Sequence, residues 1–215
     1  RRLGMMNGMT MTISTLTAAE RICAALHGEA HDRVPFSPFL AYVWEYFPEA
    51  VRNRSQLAFH HDIGADPLWR GAPCPVKNAW DGVEWRRSET SASVRSEIVT
   101  PVGTLVQVWS KSTNGGTNFL TEHPVKTVDD LKILRWAEEH CQPVIDLAAV
   151  EKHRAENGRE GLSLGMLIPR GKSAFQQLIE HHVGTEELAY LLCDHPDEVE
   201  ATWRVMADND RRAAA

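Results

Sequence analysis

The sequence predicts an α/β fold with parallel strands. Three observations lead there. Three segments, residues 34–39, 65–70 and 162–168, are short and apolar and have strand length. Helical stretches separate them, and parallel neighbours need such crossovers. Between them, residues 81–122 show alternation and turn pairs instead, which reads as an antiparallel insertion.

The elements follow in order. Thr17 and Glu20 make a capping box that opens the first helix, Ile22, Leu26 and the alanines give its apolar face, and Gly28 stops it. The segment 34–39 is then a short buried strand, with Pro35 placing it near an edge or a strand start. Residues 54–63 read as helical up to Gly64, and residues 65–70 form the second strand. Inside the insertion, Asp81-Gly82, Gly103 and Asn114-Gly115 mark reversals, and residues 94–99 and 104–109 alternate. Thr127 caps a helix over 128–140, and residues 143–158 read as a second one, with Val144, Leu147, Ala148 and Val150 on one side. Residues 162–168 make the third strand and 169–172 a turn. Ser173 opens a helix ended by Gly184, Thr185 caps the next, and Pro196 starts the last in the favoured first-turn position.

One motif is a false lead. GMLIPRGKSAF (165–175) ends like a phosphate-binding loop, but that loop has four residues between its glycine and the Gly-Lys-Ser/Thr. Here five intervene, and Pro169 has no N–H to offer a phosphate. A strand-to-helix corner is the better reading.

Composition narrows the function classes. With 215 residues, 43% hydrophobic and 24% charged, the chain suits one large domain or two small ones. A formal net charge of −6, with the basic residues scattered, argues against a nucleic-acid surface. No apolar run approaches the roughly 20 residues a membrane span needs. Residues 1–16 lack a compact apolar stretch and cleavage site, so they read as a disordered leader. Cys23, Cys74, Cys141 and Cys193 lie far apart without a CxxC pair, so buried structural thiols in a reducing cytoplasm are expected. A (β/α)8 barrel takes about 250 residues. Three core-type strands therefore leave either a small open α/β domain with an insertion or the first half of a longer barrel.

Three stretches together resemble the uroporphyrinogen decarboxylase superfamily. ERICAALHGEAHDRVPFSPF (20–39) resembles its opening helix and first strand. TPVGTLVQVW (100–109) with EHPVKTVDDLKIL (122–134) resembles the hairpin and following helix of its decarboxylase-like and methyltransferase-like branches. QLIEHHVGTEELAYLLCDHPDEVE (177–200) resembles the helices after its third strand. The resemblance covers most of residues 17–205. It implies that residues 17–215 are the N-terminal half of a (β/α)8 TIM barrel, with the hairpin insertion at about 81–122 and the active site at the C-terminal rim.

The family's decarboxylases carry an arginine-bearing RQAGRY loop after the first strand. In the matching AYVWEYFPE (41–49), Tyr46, Pro48 and Glu49 fit, while Ala41 and Glu45 stand where the arginines would be. An anionic Glu45 repels a polycarboxylate, so the resemblance points to the branch that transfers methyl groups between a corrinoid and a thiol or small methylated compound. Those methyltransferases hold zinc with a His and two Cys in the second half of the barrel. No cofactor is therefore assignable within this chain, and zinc and a corrinoid are expectations for a longer protein. Decarboxylation of a tetrapyrrole side chain is the alternative activity, and a binding-only barrel fragment is a third reading. The implied partners are a small-molecule, tetrapyrrole or corrinoid substrate, and a second copy or a corrinoid protein, with no nucleic acid and no membrane.

Barrel chemistry sits where strands end. Those ends offer Asp66 and Arg170 as catalytic candidates, and Phe39, Tyr42, Trp44, Trp69, Arg70 and Gln176 as substrate-binding ones. The aromatics suit a flat ring, the guanidinium forks suit carboxylates, and Asp66 suits a general acid or counter-charge. Core packing, surface ion pairing and turn capping are the plainer roles for the same residues. His60-His61 and His181-His182 are helix neighbours that point about 100° apart, so neither pair can close on one ion.

Overall fold

The computed structural model describes residues 16–40, 43–113, 118–157 and 160–215. It is a mixed α/β chain that divides into two compact units. The smaller runs up to Ala72 and adds Lys152–Gly165, and the larger holds Pro73–Glu151 and Met166–Ala215. Apart from Leu16, the expected leader lies outside the described residues, as do Tyr42, Asn114 and Gly115.

In the smaller unit, α1 (Ala18–His27) has the expected capping box and ends at Gly28 with φ 70°. Short helices α2 (Glu49–Arg52) and α3 (Gln56–Asp62) follow. β1 (Leu68–Ala72) then pairs in parallel with β8 (Leu162–Gly165), setting Leu68 opposite Leu162 and Arg70 opposite Leu164. Two of the three expected core strands therefore lie side by side and point the same way. A Cβ on Gly161 would sit 2.7 Å from that of Pro67, and φ there is 97°, so only glycine lets β8 begin this close to β1.

The first expected strand is not one. Residues 34–39 form no ladder, and Val34 is 78% exposed rather than buried. Pro35 and Pro38 remove two of the donors a ladder would use. The Phe36 carbonyl instead accepts from the Asp66 N–H at 2.6 Å, and the Phe36 N–H donates to the Asp66 carboxylate at 3.0 Å.

The larger unit holds most of the apolar core. β3 (Glu84–Glu89), β4 (Ser93–Thr100), β5 (Gly103–Ser110) and β6 (Phe119–Glu122) form an antiparallel meander in that order, as the alternation predicts. Ile98 faces Leu105 across β4 and β5, and both are buried. α4 (Val128–Glu139), capped by Thr127 and Asp130, closes over β5 with Leu131 and Leu134. α6 (Ala174–Gln177), opened by Ser173, runs into a π-helical turn, Leu178–His182. α7 (Thr185–Asp194) and α8 (Pro196–Ala214) complete the core with Leu188, Leu191, Val199 and Met206. Thr185 is the first residue of α7 rather than its cap, the position before it being Gly184.

Further corrections concern the strands. β2 (Val76–Trp80) and β7 (Cys141–Ile145) form an antiparallel pair, with Val76 opposite Ile145 and Trp80 opposite Cys141. The sequence reading merged β7 with the following helix α5 (Leu147–Asn157). Pro143 within β7 is tolerated because a two-stranded sheet consists only of edges. β8 stops at Gly165, short of Ile168. Parallel pairing is thus confined to β1 and β8, and no closed barrel is present among the described residues. All four thiols are free, but of the four expected to be buried only Cys141 is; Cys23 and Cys74 are half-buried and Cys193 is exposed. No described helix is long and apolar enough to cross a membrane.

Candidate functional site

The smaller unit is organised around a buried ion cluster. Arg21 of α1, 3% exposed, binds Asp32 with two bonds of 2.6 and 2.9 Å, donates to Asp66, and reaches the Leu16 carbonyl at 2.6 Å. Arg33 grips Asp66 from the other side, at 2.7 and 2.8 Å. With the Phe36 N–H added, each Asp66 oxygen accepts two hydrogen bonds, which uses the whole acceptor capacity of a carboxylate. The bonds to Asp32 foremost raise the Arg21 guanidinium above its already high range. Asp66, 1% exposed, is placed here as the anchor that ties residues 33–36 to the start of β1. Turn residues Asp32 and Arg33 gave no sequence signal of this cluster, because its members meet only in the folded chain.

β1 sends its side chains to alternate faces. Arg70, exposed in the middle of the strand, places its guanidinium over the Phe39 ring, 5.1 Å from the centroid. Trp69 therefore points the other way. Its indole N–H donates to the Glu160 carbonyl at 3.0 Å, and its ring meets His60 edge-on at 5.8 Å. His60 is 3% exposed, and neither ring nitrogen has a partner among the described residues. Trp44 packs with Phe47 and Phe59 in an aromatic trio, at centroid distances of 5.7 and 5.8 Å. Of the candidates in this unit, the structure joins Phe39 with Arg70 and leaves Trp69, Trp44 and Asp66 in separate surroundings. Tyr42 lies outside the described residues.

Arg170 and Gln176 belong to the larger unit. Arg170 is a second anchor: its side chain, 9% exposed, binds Glu138, Asp210 at 3.2 Å and the Met206 carbonyl at 3.3 Å. Asn209 also donates to the Glu138 carboxylate at 2.9 Å, and Arg212 donates to Asn209. Burial raises the Glu138 carboxyl, and the charge of Arg170 opposes that rise without cancelling it. Gln176 donates to Glu180 at 2.5 Å. Lys172 pairs with the same carboxylate while remaining partly exposed.

No family model, curated protein or solved structure matches the chain. Among the described residues, no three His, Cys, Asp or Glu side chains converge as metal ligands. The zinc that the resemblance implies therefore finds no donor set in them.

Among the sequence-named candidates, Arg70 is an exposed cation, held over the Phe39 ring from the middle of β1. A cation over an aromatic face is attracted by the ring, and the pair makes a charged, aromatic ledge.

Proposed function

We propose that this chain is part of a (β/α)8 enzyme of the uroporphyrinogen decarboxylase superfamily, acting in methyl transfer to or from a flat corrinoid-class macrocycle. The observation that supports it is the parallel pair β1–β8, which carries the exposed Arg70. Parallel strands are ordinarily covered on both faces and flanked by further strands. Here Leu164 is 55% exposed, and Val34, Phe36 and Phe39 of the unpaired segment 34–39 are exposed as well. Such a pair is what two staves of a larger barrel look like without their neighbours.

The Arg70–Phe39 ledge holds and orients the macrocycle. The aromatic and guanidinium groups take its flat face, and the guanidinium N–H groups take its peripheral carbonyl or carboxylate oxygens. No step is assigned to a metal.

Decarboxylation of a tetrapyrrole side chain is the second reading, and one contact favours it. Arg52 lies 3.6 Å from Glu45, which offsets the negative charge that would repel a polycarboxylate. The protein with the rest of its barrel separates the two. Loss of methylcobalamin absorbance in the presence of a thiol is the expected result, and porphyrinogen products with fewer carboxylates would establish decarboxylation instead. Neither reaction in that protein overturns the family reading.

A further inference from the structure

The larger unit carries a second feature that the ledge does not use. A cleft of about 420 Å³ opens between β5–β6 and the π-helical turn. This lies within the roughly 300–1,000 Å³ of small-molecule sites. Trp109, Phe119 and Ile179 supply apolar walls, and His123 and His181 supply the polar atoms. Phe119 stands at the lip, 63% exposed.

Three features show that the cleft is built rather than incidental. The π-helical turn Leu178–His182 is a rare and less well-bonded form, found frequently at functional sites, and it brings Ile179 and His181 to the cleft together. At Gly184, φ is 87° and a Cβ would come within 3.1 Å of the His123 ring, so the backbone must be bare for that imidazole to sit there. Trp109 and His181 hold their rings 6.1 Å apart at 35°, a tilted stack that leaves a π-surface beside a ring nitrogen.

The chemistry of the lining selects the ligand. Glu180, the carboxylate at this edge, is bound by Lys172 and Gln176 and also lies 3.8 Å from His181 Nε2. Burial holds both His123 and His181 below the ordinary imidazole range, and Lys172 and His123 add to the effect at His181. At neutral pH the cleft lining thus offers no unpaired charge, and beside Asn118 and Thr185 it holds two imidazoles, each able to donate one hydrogen bond and accept one. We infer that the cleft binds a small neutral aromatic ring bearing a hydroxyl, its face against Trp109 and Phe119 and its hydroxyl bonded to the His123–His181 pair. This site is independent of the Arg70–Phe39 ledge.

Phenol is the probe, titrated at pH 7.5 into the 215-residue chain labelled with ¹³C-histidine. Of the ten histidines, only the Cε1–H signals of His123 and His181, assigned with His123→Gln and His181→Gln, are expected to shift together. A fragment of this size binds with a dissociation constant on the order of 1 mM. Phe119→Ser, at an exposed position, should weaken binding about fivefold or more, with the other histidine signals unmoved as proof of folding. Cyclohexanol lacks the π-face and benzoate is charged, so neither should shift the pair at the same concentration. The inference is overturned if phenol moves neither signal, if Phe119→Ser binds unchanged, or if cyclohexanol or benzoate acts as phenol does.

Discussion

Arg170→Met tests whether Arg170 is an anchor or a reagent. The substitution keeps the aliphatic stem and removes the charge. Glu138, 1% exposed, then loses its ionic partner and keeps the Asn209 amide at 2.9 Å. Breaking one side of such a buried pair costs about 3–5 kcal/mol. Glu138→Leu should cost toward the lower end, about 3 kcal/mol, because Arg170 retains Asp210 and the Met206 carbonyl. The double variant Glu138→Leu/Arg170→Met leaves no unpaired charge between these two positions, so it should fall short of the sum of the singles by at least about 2 kcal/mol. Urea unfolding followed by tryptophan fluorescence, with unchanged slopes, gives all three values. A loss below about 1 kcal/mol for Arg170→Met would refute the reasoning, since it would mean that solvent already screens the pair, and Arg170 would again be free to meet a substrate carboxylate.

Other expectations follow the same logic. Asp66→Asn replaces a saturated acceptor by a group that turns donors toward Arg21 or Arg33, and should cost about 3–5 kcal/mol in urea unfolding; unchanged stability would restore it as a candidate acid. Gly161→Ala should cost about 1–3 kcal/mol from its left-handed backbone, and more from collision with Pro67, whereas Gly28→Ala, with open space around it, should show the backbone penalty alone. Burial pushes the His182 imidazole down to about 3, below its ordinary 6.5. The unfolded chain therefore takes up a proton there before the folded chain does. Its stabilising effect is complete above pH 6.5 and is lost as pH falls from 6.5 toward about 3, by about 1.4 kcal/mol per pH unit. His182→Leu should flatten that part of the pH–stability curve relative to the parent; parallel curves would contradict it.

How much could be read in advance varied with the range of the interaction. The capping boxes at Thr17 and Thr127 and the reversals at Gly82 and Gly103 are local, and they stand where the sequence put them. The β4–β5 hairpin was legible because period-two alternation needs only its own neighbours. Residues 34–39 misled because apolar content outweighed two prolines that a ladder cannot use. β7 was missed because Val144 and Ile145 adjoin a helical pattern, and only pairing with β2 decides their state. The candidate residues were chosen as strand ends, but the observed strands leave Asp66 before β1, Arg70 in its middle and Arg170 beyond β8. Alternation parts Trp69 from Arg70, and distant carboxylates claim Arg170. Nothing local marks His123 and His181 as neighbours, since a β-strand end and a π-helical turn bring them together.

The central proposal is that the Arg70–Phe39 ledge on β1 receives a flat macrocycle, and calorimetric titration of hydroxocobalamin and of uroporphyrin into the chain tests it most directly. Saturable binding of at least one is expected. Arg70→Ala should weaken it about tenfold, the loss of one charge-assisted contact, with no change in urea midpoint because Arg70 is exposed. Absence of binding by both macrocycles, or equal affinity in the Arg70→Ala chain, would contradict the account.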